Sequence, residues 1–157
     1  MTTLEFLSAI AHLPLSRALA KSDHLVTAAL QVVHVIGFLL LLASLTLISL
    51  RLLGLVLVRQ SVPQVAADTS RLLWIGVILA ISTGILMFLT GPSHYYFNRA
   101  FDIKMVLLFA ALVVHVTVLQ RVARRDEPPA TLARVGAVLS LLLWYGVSWA
   151  GRAIGFV

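Results

Sequence analysis

Long apolar runs, separated by short polar segments, dominate the sequence. The first run contains no charged side chain and is longer than the roughly 20 apolar residues that a helix needs to cross a bilayer. Prolines and glycines lie between the runs, where they favour helix boundaries. We therefore predict an all-α integral membrane four-helix bundle. The predicted spans are about 25–50, 72–91, 103–120 and 133–156, and the breaks lie at Pro63, Gly91-Pro92 and Pro128-Pro129.

Residues 1–21 differ from the spans in being short, mixed in polarity and followed by polar residues. Leu4, Leu7 and Ile10 fall roughly on one face of a helix, which predicts an interfacial segment that ends near Pro14. Glu5 and the absence of an early basic residue argue against a secretory signal peptide. The chain is thus expected to form a single transmembrane domain over 1–157.

Composition supports the membrane prediction. Of the 157 residues, 61% are hydrophobic and 11% are charged, which lies outside the range of soluble domains. The net charge of +6 does not indicate nucleic acid, because the basic residues lie between apolar runs, where they set topology and contact lipid headgroups. The chain has no cysteine, which excludes disulfides and thiolate metal sites.

The distribution of Lys and Arg predicts the orientation, since cytoplasmic loops are enriched in these residues. Both termini are expected on the outer, periplasmic side of a bacterial inner membrane, which the chain crosses several times. Seven basic residues fall on the predicted inner side: Arg51, Arg59, Arg71, Arg121, Arg124, Arg125 and Arg134. Five fall on the outer side: Arg17, Lys21, Arg99, Lys104 and Arg152.

Small residues at four-residue spacing predict close helix packing. Gly76, Ala80 and Gly84 form one such stripe in the second span, and Gly146 and Ala150 form another in the fourth. Small residues at this spacing let helix backbones approach each other in lipid. The partners expected from this pattern are the other spans, the lipid bilayer and, as an open alternative, a second copy of the chain.

Two histidines interrupt the apolar runs. His34 lies ten residues after His24, and His115 lies twelve residues after Ile103. At 1.5 Å per residue, both are expected roughly 15–18 Å below the outer boundary, near the middle of the bilayer. Ionisable residues at that depth are usually functional. Two histidines at one level predict axial ligation of one haem b, with ligation of a smaller metal ion and simple hydrogen bonding as alternatives.

Polar residues near these histidines predict the rest of a cofactor site. Thr27 and Gln31 share a helix face with His34, and Gln31 is expected to orient His34 or its ligand. Lys104 lies three turns before His115 on the same face, at the level where it would meet a porphyrin propionate. Arg152 is a further candidate at that level. The predicted site opens outward between the first and third spans.

Other side chains are weaker candidates. His24 and His94 both fall at the outer boundary and form a candidate second metal or quinone-headgroup site. Met87 is an alternative axial ligand, although a methionine on an apolar helix more often packs. There is no glycine-rich nucleotide loop, no Ser–His–Asp arrangement and no pair of intramembrane carboxylates. Soluble-enzyme chemistry and proton-driven transport are therefore disfavoured.

Several short motifs resemble known membrane families. "HVIG" in the first span, "RLLW…TGIL" in the second, and the spacing from Lys104 to His115 are similar to HemJ-type proteins, and the layout resembles CopD-type membrane domains. Residues 51–55, "RLLGL", and 101–105, "FDIKM", resemble an uncharacterised family of bacterial four-helix membrane proteins. The similarity covers roughly residues 25–120.

The HemJ resemblance implies haem b binding, with His34 and His115 as functional histidines and Lys104 as an essential lysine. The fourth span departs from that pattern, since "RVGAVLS" stands where an Arg-x-x-Asn-Glu-x-Pro motif is expected. The resemblance thus implies haem binding more than porphyrinogen oxidation.

The expected function is electron transfer between a quinone or a periplasmic redox partner and an acceptor. The alternatives are HemJ-like oxidation of protoporphyrinogen IX, a non-catalytic membrane anchor or assembly subunit, and copper handling. Three methionines and no cysteines make copper handling the weakest of them.

Overall fold

A computed structural model describes residues 2–125 and 129–156, and within these ranges every regular element is helical. Four helices are long and apolar enough to cross a membrane, which confirms the predicted fold class. We call them the first to fourth spans. They comprise His24–Leu52, Val62–Thr90, Arg99–Ala123 and Ala130–Phe156. Of the predicted break at Pro128-Pro129, Pro128 lies outside the described residues.

Side-chain caps explain where three of the spans begin. Asp23, Ser61 and Asn98 each accept hydrogen bonds from backbone N–H groups in the first turn of the helix that follows. The second span begins ten residues earlier than expected, because Pro63 lies in its first turn, where the missing N–H has no helical partner in any case. The third span begins at Arg99, four residues earlier than expected.

The third span is not a uniform α-helix. It is α-helical over Arg99–Val114, forms a π-helical turn over His115–Leu119, and returns to α-helix over Gln120–Ala123. The fourth span is α-helical over Ala130–Ala153 and ends in a 3₁₀ turn, Ile154–Phe156. Three short helices complete the fold: Thr3–Ala11, Pro14–Ala20 and Pro92–Tyr96.

The spans pack in the order second, first, fourth, third. The first span packs against the second and fourth, and the fourth also packs against the third. The second span meets the third mainly through its final α-helical turn, Gln120–Ala123. The second and third spans therefore leave a seam between them, which we call the open seam.

The first and second spans cross in very close contact. A Cβ added at Gly76 would lie 2.6 Å from the carbonyl oxygen of Gly37, and one added at Gly37 would lie 2.6 Å from the Cβ of Leu79. These distances are too short for any side chain, so both glycines are required by the backbone approach. The predicted packing role of Gly76 is thus accounted for.

Both ends of the bundle can be defined by their residues. The terminal end holds His24, the connection 91–98 and Phe156, and the short helix Thr3–Ala11 packs there against Pro92–Tyr96. The basic end holds the connection 53–61 and Arg124, where the third span has ended. Large apolar side chains such as Ile78, Val106 and Phe109 are exposed between the ends, as expected for surfaces that face lipid.

Candidate functional site

A cavity of about 450 Å³ opens at the terminal end, among all four spans and the short helix Pro92–Tyr96. We call it the terminal cavity. No Asp or Glu of the described residues lines it. Its apolar lining includes Phe38, Leu42, Met87, Phe88, Phe101 and Val147. Its polar lining comprises Thr27, Gln31, His34, His94, Tyr95, Lys104, Ser148 and Arg152.

His34 is held against the second span by Thr83 and Gly84. The Nδ1 atom of His34 lies 3.0 Å from the Thr83 hydroxyl oxygen, and that hydroxyl donates its one proton to the carbonyl of Leu79. Thr83 must therefore accept from His34, so the proton of the neutral imidazole is on Nδ1. A Cβ at Gly84 would lie 3.2 Å from Cε1 of His34, so Gly84 makes room for the ring.

This arrangement leaves Nε2 of His34 with a free lone pair. No described residue forms a hydrogen bond to that atom, and the ring lines the terminal cavity. Histidines that ligate metals almost always donate their other ring N–H to a protein acceptor, as His34 does to Thr83. His34 is thus arranged either to ligate a metal or to accept a hydrogen bond.

Lys104 and Arg152 bring positive charge to the terminal cavity. Neither forms a salt bridge with any acidic side chain in the described part of the chain. The Lys104 side chain lies along the backbone of Gly151, where an added Cβ would be 3.5–3.7 Å from its Cε, Nζ and Cδ atoms. The guanidinium of Arg152 lies 4.5 Å from the centre of the Phe156 ring. Two cations without acidic partners favour an anionic ligand.

Aromatic rings form a wall of the cavity near its mouth. Phe88 and Phe101 stack with their ring centres 5.8 Å apart, and Tyr95 contacts both rings at 5.4–6.0 Å. Burial raises the pKa of the Tyr95 phenol above its usual range, so this hydroxyl stays protonated and able to donate at neutral pH. The wall suits a flat, apolar ligand with polar groups at one edge.

His115 lies elsewhere, which corrects the prediction that it shares a ligand with His34. It lines a separate cavity of about 310 Å³ near the basic end, which we call the basic-end cavity. Ile48 of the first span lines that cavity too, and it follows His34 by fourteen residues, or about 21 Å along a helix. Two histidines that ligate one metal ion bring their ligating nitrogens within roughly 4 Å of each other, because each metal–nitrogen bond is about 2 Å long.

The start of the third span explains this difference in depth. Because the helix begins at Arg99 and not at Ile103, His115 is about 6 Å further from the terminal end than expected. The first span begins at His24, within one residue of its predicted start. The depths of His34 and His115 therefore do not match. The first and third spans also lie diagonally across the bundle, so the cavity is bounded by all four spans.

The remaining candidates are divided among different surroundings. Thr27 and Gln31 line the terminal cavity with His34, whereas His24 is exposed, with its Nδ1 2.6 Å from Asp23. His94 also lines the terminal cavity, whereas His24 is not among its lining residues. Among the described residues, no three His, Cys, Asp or Glu side chains form a metal-binding group. The copper alternative thus lacks a ligand cluster there.

Sequence reasoning missed the residues that support His34. Thr83 and Gly84 lie in the motif "STGIL", which was read only as a packing stripe and a family resemblance. A buried threonine beside a glycine within an apolar span was the available signal. Asn98 was missed as well; its amide group donates to the carbonyl of Ile154 and so ties the end of the fourth span to the terminal cavity.

Taken together, the terminal cavity combines one unpartnered imidazole nitrogen, an apolar aromatic wall and two cations near its mouth. Such a set is chemically suited to an amphipathic anion, and its imidazole nitrogen could serve as one ligand to a metal that brings its other ligands with it. Among the described residues that line it there is no carboxylate.

A family described as "Family of unknown function (DUF6644)" matches residues 18–157, and the chain belongs to this family. The match includes all four spans and every residue named in the terminal cavity. No significant match was found among curated proteins or solved structures.

Proposed function

We propose that this member of the DUF6644 family binds haem b in the terminal cavity, where His34 would hold the iron. One observation carries the proposal: Nδ1 of His34 donates to Thr83, while Nε2 has no partner among the described residues, and the described lining of the cavity holds Lys104 and Arg152 but no acid. The prediction of a second ligand, His115, is withdrawn because that residue lines another cavity.

The residues present fit this cofactor. A porphyrin supplies four ligands to its iron, so one histidine suffices, whereas a bare ion would need more. Phe88 and Phe101 match the apolar faces of a macrocycle, and Lys104 and Arg152 match its propionates in charge. The Tyr95 hydroxyl provides a neutral donor near the same edge. A membrane ligand without an anionic group would leave the charges of Lys104 and Arg152 unmatched.

The proposed role is electron transfer at the outer face of a bacterial inner membrane. Haem supplies one-electron redox chemistry, and the protein supplies its orientation and surroundings. Thr83 keeps the Nε2 lone pair of His34 available, and the apolar walls limit the access of water. Since the cavity opens at the terminal end, we propose that a periplasmic partner or a membrane quinone exchanges electrons there.

Titration of the detergent-solubilised protein with haem tests the proposal. We expect a saturable Soret band and a haem b α-band on reduction, both lost in His34→Ala and both retained in the matched control His115→Ala. Added imidazole should restore binding to His34→Ala, which separates a lost ligand from a lost fold. Absence of any band in the wild type, or equal loss in the two variants, would contradict the proposal.

Oxidation of protoporphyrinogen IX is the second candidate, because that tetrapyrrole has the same propionates and would use the same unpaired Lys104. Expression in a strain that lacks this activity discriminates between the two candidates. Electron transfer alone predicts no rescue despite normal membrane levels of the protein. Rescue that depends on Lys104 and His34 would instead establish the enzyme.

A further inference from the structure

The basic-end cavity contains a buried imidazole with no role in the terminal cavity. His115 is 9% exposed, and its Nδ1 atom is fully buried without a hydrogen-bond partner in the described structure. The amide nitrogen of Gln120 lies 3.4 Å from Nε2 of His115. An amide nitrogen is always a donor, so Nε2 accepts and the ring proton is on Nδ1. Nδ1 is therefore an unused donor.

The π-helical turn produces this arrangement. In an α-helix, side chains three or four residues apart meet, whereas those five apart do not. The backbone N–H of Gln120 bonds to the carbonyl of His115, five residues earlier, and this wider turn lets the two side chains meet. Single π-helical turns occur frequently at functional sites. A buried donor without a partner costs free energy, which a ligand that accepts from it would recover.

The rest of the lining describes the ligand. Ser70 is the other hydroxyl without a hydrogen bond to a described residue, whereas the Thr69 hydroxyl donates to Val65. Arg124 is exposed at the mouth, and none of the lining residues that the structure describes is acidic. Ile48, Leu73 and Leu119 make the interior apolar. The two hydrogen-bond donors of the lining that lack a described partner, His115 and Ser70, are thus neutral, which suits a neutral molecule with carbonyl oxygens.

The position of the cavity indicates the route by which a ligand enters. It lies on the open seam between the second and third spans, and Trp74 and Val116, at its edge, are 51% and 56% exposed. These side chains face the lipid, so a molecule dissolved in the membrane reaches the cavity laterally. A charged phosphate would remain near Arg124, because burial among neutral donors would leave its charge uncompensated.

We infer that the basic-end cavity binds the head group of a membrane quinone, with Nδ1 of His115 and the Ser70 hydroxyl donating to its carbonyl oxygens. Binding depends on this cavity alone and not on haem. The role of the bound quinone as an electron source or acceptor rests on the proposed function. Quinone and haem would then occupy opposite ends of one bundle.

Quenching of tryptophan fluorescence by decylubiquinone tests this inference on haem-free protein in lipid nanodiscs, because Trp74 borders the cavity. We expect saturable quenching, weakened about tenfold in His115→Phe and measurably in Ser70→Ala, since each variant removes one hydrogen-bond donor. The matched control His12→Phe should bind as the wild type does, because His12 is exposed and lines neither cavity. Retained helical content and a single size-exclusion peak identify the folded variants.

Two outcomes would overturn the inference. Quenching that rises without saturation and equally in every variant would show mere partition into the lipid. Weakening by Arg124→Gln but not by His115→Phe or Ser70→Ala, with displacement of the quinone by phosphatidylglycerol, would assign the cavity to an anionic phospholipid. Because haem is absent throughout, failure here leaves the haem titration unaffected, and failure of haem binding does not change this result.

Discussion

The hydrogen bond from His34 to Thr83 governs what the imidazole can do at the level of a single residue. Because the Thr83 hydroxyl proton is used by Leu79, Thr83 acts on the ring only as an acceptor. Removing that acceptor takes away the side chain that fixes Nδ1–H and frees the ring to rotate or change tautomer. Thr83 is therefore a positioning residue for His34.

Thr83→Val should lower haem affinity by about 10- to 100-fold, the usual effect of losing a hydrogen-bond partner of a metal-ligating histidine. Haem titration followed by the Soret band measures this change. Thr117→Val is the matched control, since the Thr117 hydroxyl also donates to the carbonyl four residues earlier but is exposed outside the cavity. Equal affinity in both variants would show that Thr83 does not position the ligand.

The two cations of the terminal cavity differ in their surroundings. Lys104 is partly buried against Gly151, whereas Arg152 is exposed. Attraction between charges is stronger where water is excluded, and exposed pairs contribute little. Lys104→Gln should thus lower haem affinity by about tenfold and Arg152→Gln by about two- to threefold.

Haem titration at low and high salt measures both effects of charge removal. Lys21→Gln serves as the control, because Lys21 is exposed and does not line the cavity. The loss of haem affinity caused by Arg152→Gln should become smaller at high salt, whereas the loss caused by Lys104→Gln should largely persist. An affinity that is the same in Lys104→Gln and Lys21→Gln would argue against propionate binding at Lys104.

Individual spans were predictable from the sequence, but their mutual placement was not. Apolar length alone predicts four helices. The start of the third span depends on Asn98, which caps that helix while bonding to Ile154 across the bundle. That contact is tertiary, so the four-residue error, and with it the depth of His115, could not be read from local sequence.

The same limit explains which part of the site was predictable. Thr27, Gln31 and His34 share a helix face, and helix periodicity alone places them together. Lys104 and Arg152 reach the same cavity because both lie near span ends on one side. Which neighbour His34 contacts depends on helix rotation and packing order, and a π-helical turn has no clear sequence signature.

At the level of helix pairs, the crossing of the first and second spans should control stability. Gly76→Ala would place a Cβ 2.6 Å from the Gly37 carbonyl oxygen, so the helices must separate. We expect destabilisation by about 1–3 kcal/mol, as for other overpacked cores. Unfolding in mixed detergent measures it. Gly146→Ala is the control, because its Cβ would make an ordinary 3.4 Å contact with a Leu107 methyl group. A comparable loss of stability in both variants would show that the close crossing at Gly76 does not control stability.

Across the whole molecule, the two cavities divide the bundle into chemically different halves. The terminal cavity offers a ligand nitrogen and two cations, whereas the basic-end cavity offers neutral donors beneath Arg124. Residues of the second and third spans, which border the open seam, line both cavities. The partners that each cavity can meet depend on which end of the bundle faces the periplasm, because a soluble periplasmic redox partner reaches only one of the two cavities.

The excess of arginine at the basic end predicts that this end is cytoplasmic and the terminal end periplasmic. The chain contains no cysteine, so single cysteines can report topology without background. A membrane-impermeant maleimide should label Ser22→Cys in intact cells, whereas Gln60→Cys should react only after permeabilisation, since residue 60 lies in the connection at the basic end. The reverse labelling would place the terminal cavity on the cytoplasmic side and exclude a periplasmic electron-transfer partner, while leaving the prediction of haem binding by His34 intact.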